Sequence, residues 1–127
     1  MELKAYQRQV IADVKSYLEL LSTSRSYPEA FSRFWAEKGV PVLGRYHDTI
    51  PGVPNLCLKV PTGGGKTFLA CNAIKPIFES LPATLARVVV WLVPSDAILT
   101  QTIAALKDPR HISKLPASFQ VLYINNE

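Results

Sequence analysis

The first apolar positions of the chain, Leu3, Tyr6, Val10, Val14, Tyr17, Leu18 and Leu21, recur at three- and four-residue steps. That spacing puts them on one side of an α-helix and predicts an amphipathic first element, ended by Ser22-Thr23-Ser24. A second, shorter helix is predicted from Pro28 in its first turn through Phe31, Phe34 and Trp35, closing at Gly39. Pro41, Gly44, Pro51, Gly52 and Pro54 then break any period, so residues 40–54 read as a surface connection.

From Asn55 the pattern changes to the alternation of a layered α/β domain. Leu56, Cys57 and Leu58 predict a strand near residues 55–60, followed by a loop and a helix from about Lys66 that Pro76 must kink or end. The run Val88-Val89-Val90-Trp91-Leu92-Val93 is apolar without alternation, as a parallel strand covered on both faces should be. Pro94-Ser95-Asp96 turns into another helix, expected to carry Ile98, Leu99, Ile103 and Leu106 inward. Residues 107–116 read as a loop, and Phe119 to Ile124 as a third strand.

Composition narrows the class. The 127 residues, 48% hydrophobic and 19% charged, suit about one globular domain with a real core. No apolar stretch approaches the roughly 20 residues that span a bilayer, and Met-Glu-Leu-Lys-Ala-Tyr-Gln lacks the layout of a secretory signal, so no membrane role and a cytoplasmic location are expected. Cys57 and Cys71 form no C-x-x-C pair and are expected to be small buried apolar groups. His47 and His111 stand alone, which argues against zinc. A net charge of +4 agrees with a polyanionic partner without requiring one, and the basic residues form no run.

The chemistry concentrates between the first predicted strand and its helix, where residues 60–67 read Val-Pro-Thr-Gly-Gly-Gly-Lys-Thr. Gly63, Gly64 and Gly65, preceded by Thr62, let the backbone curl with N–H groups turned inward, so that phosphates can be cradled at a helix N-terminus. Lys66 supplies a mobile point charge for the outer phosphates, and the Thr67 hydroxyl a hard oxygen ligand for Mg2+. The pattern G-x-x-x-x-G-K-[ST] asks for glycine where this chain has Val60, a mild departure because Val60 ends the predicted strand before the loop turns.

Three blocks in this order resemble superfamily 2 helicases: Leu3-Lys4-Ala5-Tyr6-Gln7 resembles the glutamine-bearing element, Val60 to Thr67 motif I, and Trp91-Leu92-Val93-Pro94-Ser95 through Gln101 motif Ia. The run Val-Pro-Thr-Gly-Gly-Gly-Lys-Thr after a Cys-Leu-bearing strand is most similar to the start of the Res subunit of type III restriction enzymes. The resemblance implies a partial RecA-like P-loop fold of three layers with a mainly parallel sheet, the N-terminal fragment of helicase domain 1. It divides the chain into residues 1–54, a helical region with the glutamine element and a connecting loop, and residues 55–127, the nucleotide-binding core with motifs I and Ia. ATP and Mg2+ are the implied cofactors, with Gln7 reading the adenine edge; an amide presents the acceptor and donors that task needs. Ser95, Thr100 and Gln101 are implied to touch a DNA backbone without reading sequence, and a modification methyltransferase subunit is an implied partner.

The family's acidic Asp-Glu motif and its arginine motifs have no match here, since Val121 to Ile124 is followed by Asn125-Asn126. No catalytic residue is therefore expected in the chain, which reads as the N-terminal segment of a longer ATP-dependent translocase, expected to bind nucleotide without turnover. Two other readings stay open: a stand-alone P-loop switch, and a truncated interaction domain. In each the loop at 60–67 is the feature to explain.

Overall fold

The computed structural model describes residues 2–41 and 44–115, which fall into two compact units, Lys4–Gly64 and the residues from Gly65 on together with those before Lys4.

The first unit is built on α1 (Ala5–Thr23) and α2 (Tyr27–Glu37). The buried residues of α1 are Gln7, Ile11, Val14, Tyr17 and Leu20, successive rungs of one helical face. That face includes Val14 and Tyr17 as expected but is rotated from the predicted stripe: Tyr6 is 41% exposed, and polar Gln7 is only 4% exposed. A count of apolar residues passes over Gln7, which is why the stripe was misplaced. Ser22 Oγ and Thr23 Oγ1 both donate back to the Glu19 carbonyl, at 2.7 and 3.2 Å, competing with helix continuation at the predicted stop.

Helix α2 begins and ends on its own sequence signals. Ser26 Oγ accepts from the Glu29 N–H, Glu29 Oε2 accepts from the Arg25 N–H at 2.6 Å, and Pro28 lies in the first turn. At the other end Gly39 takes φ +68°, so that its N–H reaches the Ala36 carbonyl and the Val40 N–H the Trp35 carbonyl, both at 3.0 Å. The two helices pack through Tyr17, Leu20 and Ala30, with Leu21, Phe31 and Phe34 against them. Ala30, fully buried, permits close approach, and the Tyr17 and Phe34 rings meet edge to face at 5.7 Å. Asp13 and Lys38 form an ion pair. Residues 56–60 run along a groove of about 280 Å3 lined by Val10, Val14, Tyr17, Phe34 and Trp35, which brings the chain to the glycine loop.

In the second unit α3 (Lys66–Ser80) starts where expected and continues through Pro76 rather than ending there. Helix α4 (Asp96–Lys107) is followed by the single turn α5 (Pro109–Ile112), inside a stretch expected to be only loop. Asp108, the N-cap of α5, accepts from the Arg110 N–H at 2.8 Å, and Pro109 opens the turn, a start signal hidden in a short segment. The core is Cys71, Ile74, Phe78, Leu106 and Leu115, with Leu81 and Trp91 packed against it. Leu106 is inward as expected and Ile98, at 40% exposure, is not.

The fold class differs from the α/β expectation. Among the described residues there are five helices and no strand, so the RecA-like three-layer fold with a mainly parallel sheet is not what these residues form. Residues 55–60 and 88–93 carry no ladder, and their apolar side chains stand in the open: Leu56 and Leu58 are 51% and 42% exposed, Val88, Val90 and Leu92 74%, 76% and 87%. A helix satisfies its backbone within itself, whereas a strand exists only through a neighbour, so an apolar run states a preference for burial and leaves the partner unspecified. The third expected strand, Phe119 to Ile124, lies outside the described residues. No helix among the described residues is long and apolar enough to cross a membrane.

Candidate phosphate-binding loop

The boundary between the two compact units falls inside the glycine loop, after Gly64. On the first side, Pro61 to Gly64 form a tight turn closed by the Gly64 N–H on the Pro61 carbonyl at 3.0 Å. Gly63, its third residue, has φ +77°, the left-handed conformation that a type II turn demands there. Gly64 is required for a different reason: a Cβ on it would lie 2.7 Å from Val60 Cγ1 and 2.9 Å from the Pro61 carbonyl oxygen. Val60, the departure from the motif pattern, thus packs against the turn that follows it.

The Gly64 carbonyl is held by two side chains from the first turn of α1. Tyr6 Oη donates to it, and Gln7 Nε2 donates to it at 2.9 Å. The other end of the Gln7 amide accepts from the Lys4 N–H at 2.8 Å, which serves the capping of α1. Gln7 is therefore no free surface amide. Both of its polar ends have protein partners, and one of them is the loop.

On the second side, Gly65 is the N-cap of α3 with φ +71°, and its carbonyl accepts from the Leu69 N–H at 2.9 Å. Gly65 offers no side chain to the first N–H groups of α3, and the first turn holds no acid. Helices α2 and α4 differ: each has a serine accepting from its first turn, Ser26 and Ser95, and an acid beside it, Glu29 and Asp96. The first amides of α3 thus have no capping side chain, and its positive dipole end has no acid beside it. Lys66 is exposed and Thr67 half-buried at this end, while Thr62 and Gly63 are exposed. Behind them Phe68 is buried and meets His111 edge to face at 5.5 Å, which fixes the first turn of α3 on its core.

The expected nucleic-acid contacts lie on the exposed start of α4. Ser95 Oγ accepts from the Ile98 N–H at 3.4 Å and caps the helix, and Thr100 Oγ1 donates to the Asp96 carbonyl at 3.0 Å. Ser95, Thr100 and Gln101 are all exposed. A phosphate needs donors, so Ser95, whose oxygen accepts internally, keeps its O–H available, whereas the O–H of Thr100 is engaged. The thiols differ from expectation in one case: Cys71 is fully buried, and burial pushes its thiol up, but Cys57 is exposed. Residues 56–59 are all exposed in succession, Cys57 among them, which the apolar run did not disclose.

The roles of Tyr6 and Val60 at the loop were missed from sequence. Their signals were present, an aromatic hydroxyl next to Gln7 and a branched residue in place of glycine, but only the return of the chain joins residues 6 and 64. Comparison with curated proteins and with solved structures returned no match. The family described as type III restriction enzyme, res subunit, matches residues 1–122. A match of that extent, with the glycine loop and the glutamine element inside it, means that the chain belongs to the type III restriction enzyme res subunit family.

Proposed function

We propose that this chain binds ATP with Mg2+ through Thr62 to Thr67 and serves as the nucleotide-binding segment of an ATP-dependent DNA translocase, the restriction subunit of a type III restriction-modification enzyme. One observation carries the reading. In a chain of this family, α3 starts on a left-handed glycine with neither a capping side chain nor an acid in its first turn, and Lys66 and Thr67 follow at once. Gly63 and Gly65 would give the phosphates backbone N–H donors around the turn that the Gly64 N–H closes on the Pro61 carbonyl, Lys66 a charge on the outer phosphates, and Thr67 an oxygen for Mg2+, the ion that neutralises the phosphates when bound. Lys66 costs no desolvation in waiting, because it is exposed.

Gln7 is the residue we assign to adenine. Its amide must then serve base and loop together, so adenine recognition would be felt at Gly64 through the same side chain. DNA is the proposed polymeric ligand, met through backbone phosphates by Ser95 and Gln101, with Thr100 the weaker contributor. A modification methyltransferase is the proposed protein partner and the cytoplasm the proposed location. The reading is tested by titrating ATP with and without Mg2+ while following phosphate release. Mg2+-dependent binding without Lys66-dependent turnover is expected, and absence of binding under both conditions would overturn it.

A further inference from the structure

The two donors on the Gly64 carbonyl come from neighbouring residues of one helix turn, and they engage both lone pairs of a peptide that has glycine on either side. A Gly-Gly peptide has no Cβ to bias its rotation, so nothing within the loop fixes which way its carbonyl faces. We propose that Tyr6 is a positioning residue for the phosphate loop: its phenol, together with Gln7, pins the Gly64–Gly65 peptide so that the Gly65 N–H is presented for phosphate. This inference rests on the phosphate-binding reading above.

The geometry follows from peptide planarity. In a trans peptide the carbonyl and the next N–H point in opposite directions, so a carbonyl held by Tyr6 and Gln7 directs the Gly65 N–H away from those two donors. If the peptide flipped, a carbonyl oxygen would replace that donor and meet the phosphate with a like partial charge. Tyr6 is suited to the task for a reason the apolar pattern obscured. At 41% exposure it contributes little to the core, and its hydroxyl is committed to a backbone group 58 residues on. Tyr6 never touches the base in this account, which separates it from Gln7. Its effect must therefore be the same for every ligand carrying the same phosphates.

The test is calorimetric titration of the chain with ATP, GTP and inorganic tripolyphosphate, all with Mg2+, in the parent, Tyr6→Phe and Lys66→Ala. Losing one of two hydrogen bonds on the carbonyl should raise Kd in Tyr6→Phe by roughly three- to ten-fold, equally for all three ligands, with stoichiometry unchanged and the thermal midpoint lowered by only a few degrees, as one lost hydrogen bond requires. A purely structural role would instead lower the bound fraction at constant Kd, and that result overturns the proposal. So does an unchanged Kd in Tyr6→Phe beside a clear loss in Lys66→Ala, which would leave the phosphate-binding reading intact. A loss for ATP that spares tripolyphosphate would place Tyr6 on the base and also overturn it. No Lys66-dependent tripolyphosphate binding in the parent would defeat both readings together.

Discussion

The Gln7 amide donates to the Gly64 carbonyl at 2.9 Å, joining residues 57 apart in sequence within one compact unit. It ties the start of α1 to the Gly64 side of the glycine loop and gives Gln7 two measurable consequences. Gln7→Ala removes the donor to Gly64 and the acceptor for the Lys4 N–H, so it should cost about 1 to 2 kcal/mol of stability by denaturant titration, two hydrogen bonds at their usual net value. It should also narrow the ATP over GTP affinity ratio several-fold. A parent that binds GTP as well as ATP would remove Gln7 from adenine recognition while leaving the stability effect standing.

The glycines of the loop should fail for different reasons. At Gly63 a Cβ meets nothing within 4 Å, so Gly63→Ala loses only the left-handed backbone, about 1 to 2 kcal/mol. Gly64→Ala must displace Val60 or the Pro61 carbonyl, a cost of about 1 to 3 kcal/mol. Trimming Val60 should separate them: Val60→Ala in the Gly64→Ala background recovers part of the loss in a thermal melt, and in the Gly63→Ala background recovers nothing. Equal recovery in both would contradict the contact.

Helix α4 offers a test of Ser95 in two roles. Ser95→Ala should cost about 1 kcal/mol as a lost cap, whereas Ser95→Gly should cost a few tenths. If Ser95 also meets DNA, the alanine variant should weaken oligonucleotide binding by anisotropy without regard to sequence, with steep salt dependence. Asp96 at the same helix start repels phosphate, so Asp96→Asn should strengthen that binding. Unaltered DNA affinity in both variants would leave Ser95 a cap and nothing more.

The helices were legible because their signals are local. Pro28 and Gly39 bracket α2, and the glycine loop before Lys66 announces α3, each within a turn of the residues it governs. The short α5 escaped notice because its cap, Asp108, directly follows α4 and its span is a single turn. The strands expected at 55–60 and 88–93 failed for the opposite reason: Val88 to Val93 says what the segment would bury, and says nothing of what must pair with it. At the candidate site, the glycine loop and Lys66-Thr67 were visible as a motif, while the Tyr6 and Gln7 hold on Gly64 depends on tertiary return. The buried face of α1 was misread at the same point, since polar Gln7 occupies a core position.

The central claim is that Lys66 and the open start of α3 bind nucleotide phosphates. Calorimetric titration of Mg-ATP into the chain and into Lys66→Ala tests it most directly. A lysine–phosphate contact is charge-assisted, so the variant should lose about 1.5 to 3 kcal/mol of binding free energy while keeping its thermal midpoint, because Lys66 is exposed and holds no core contact. Equal affinity in parent and variant would contradict the account.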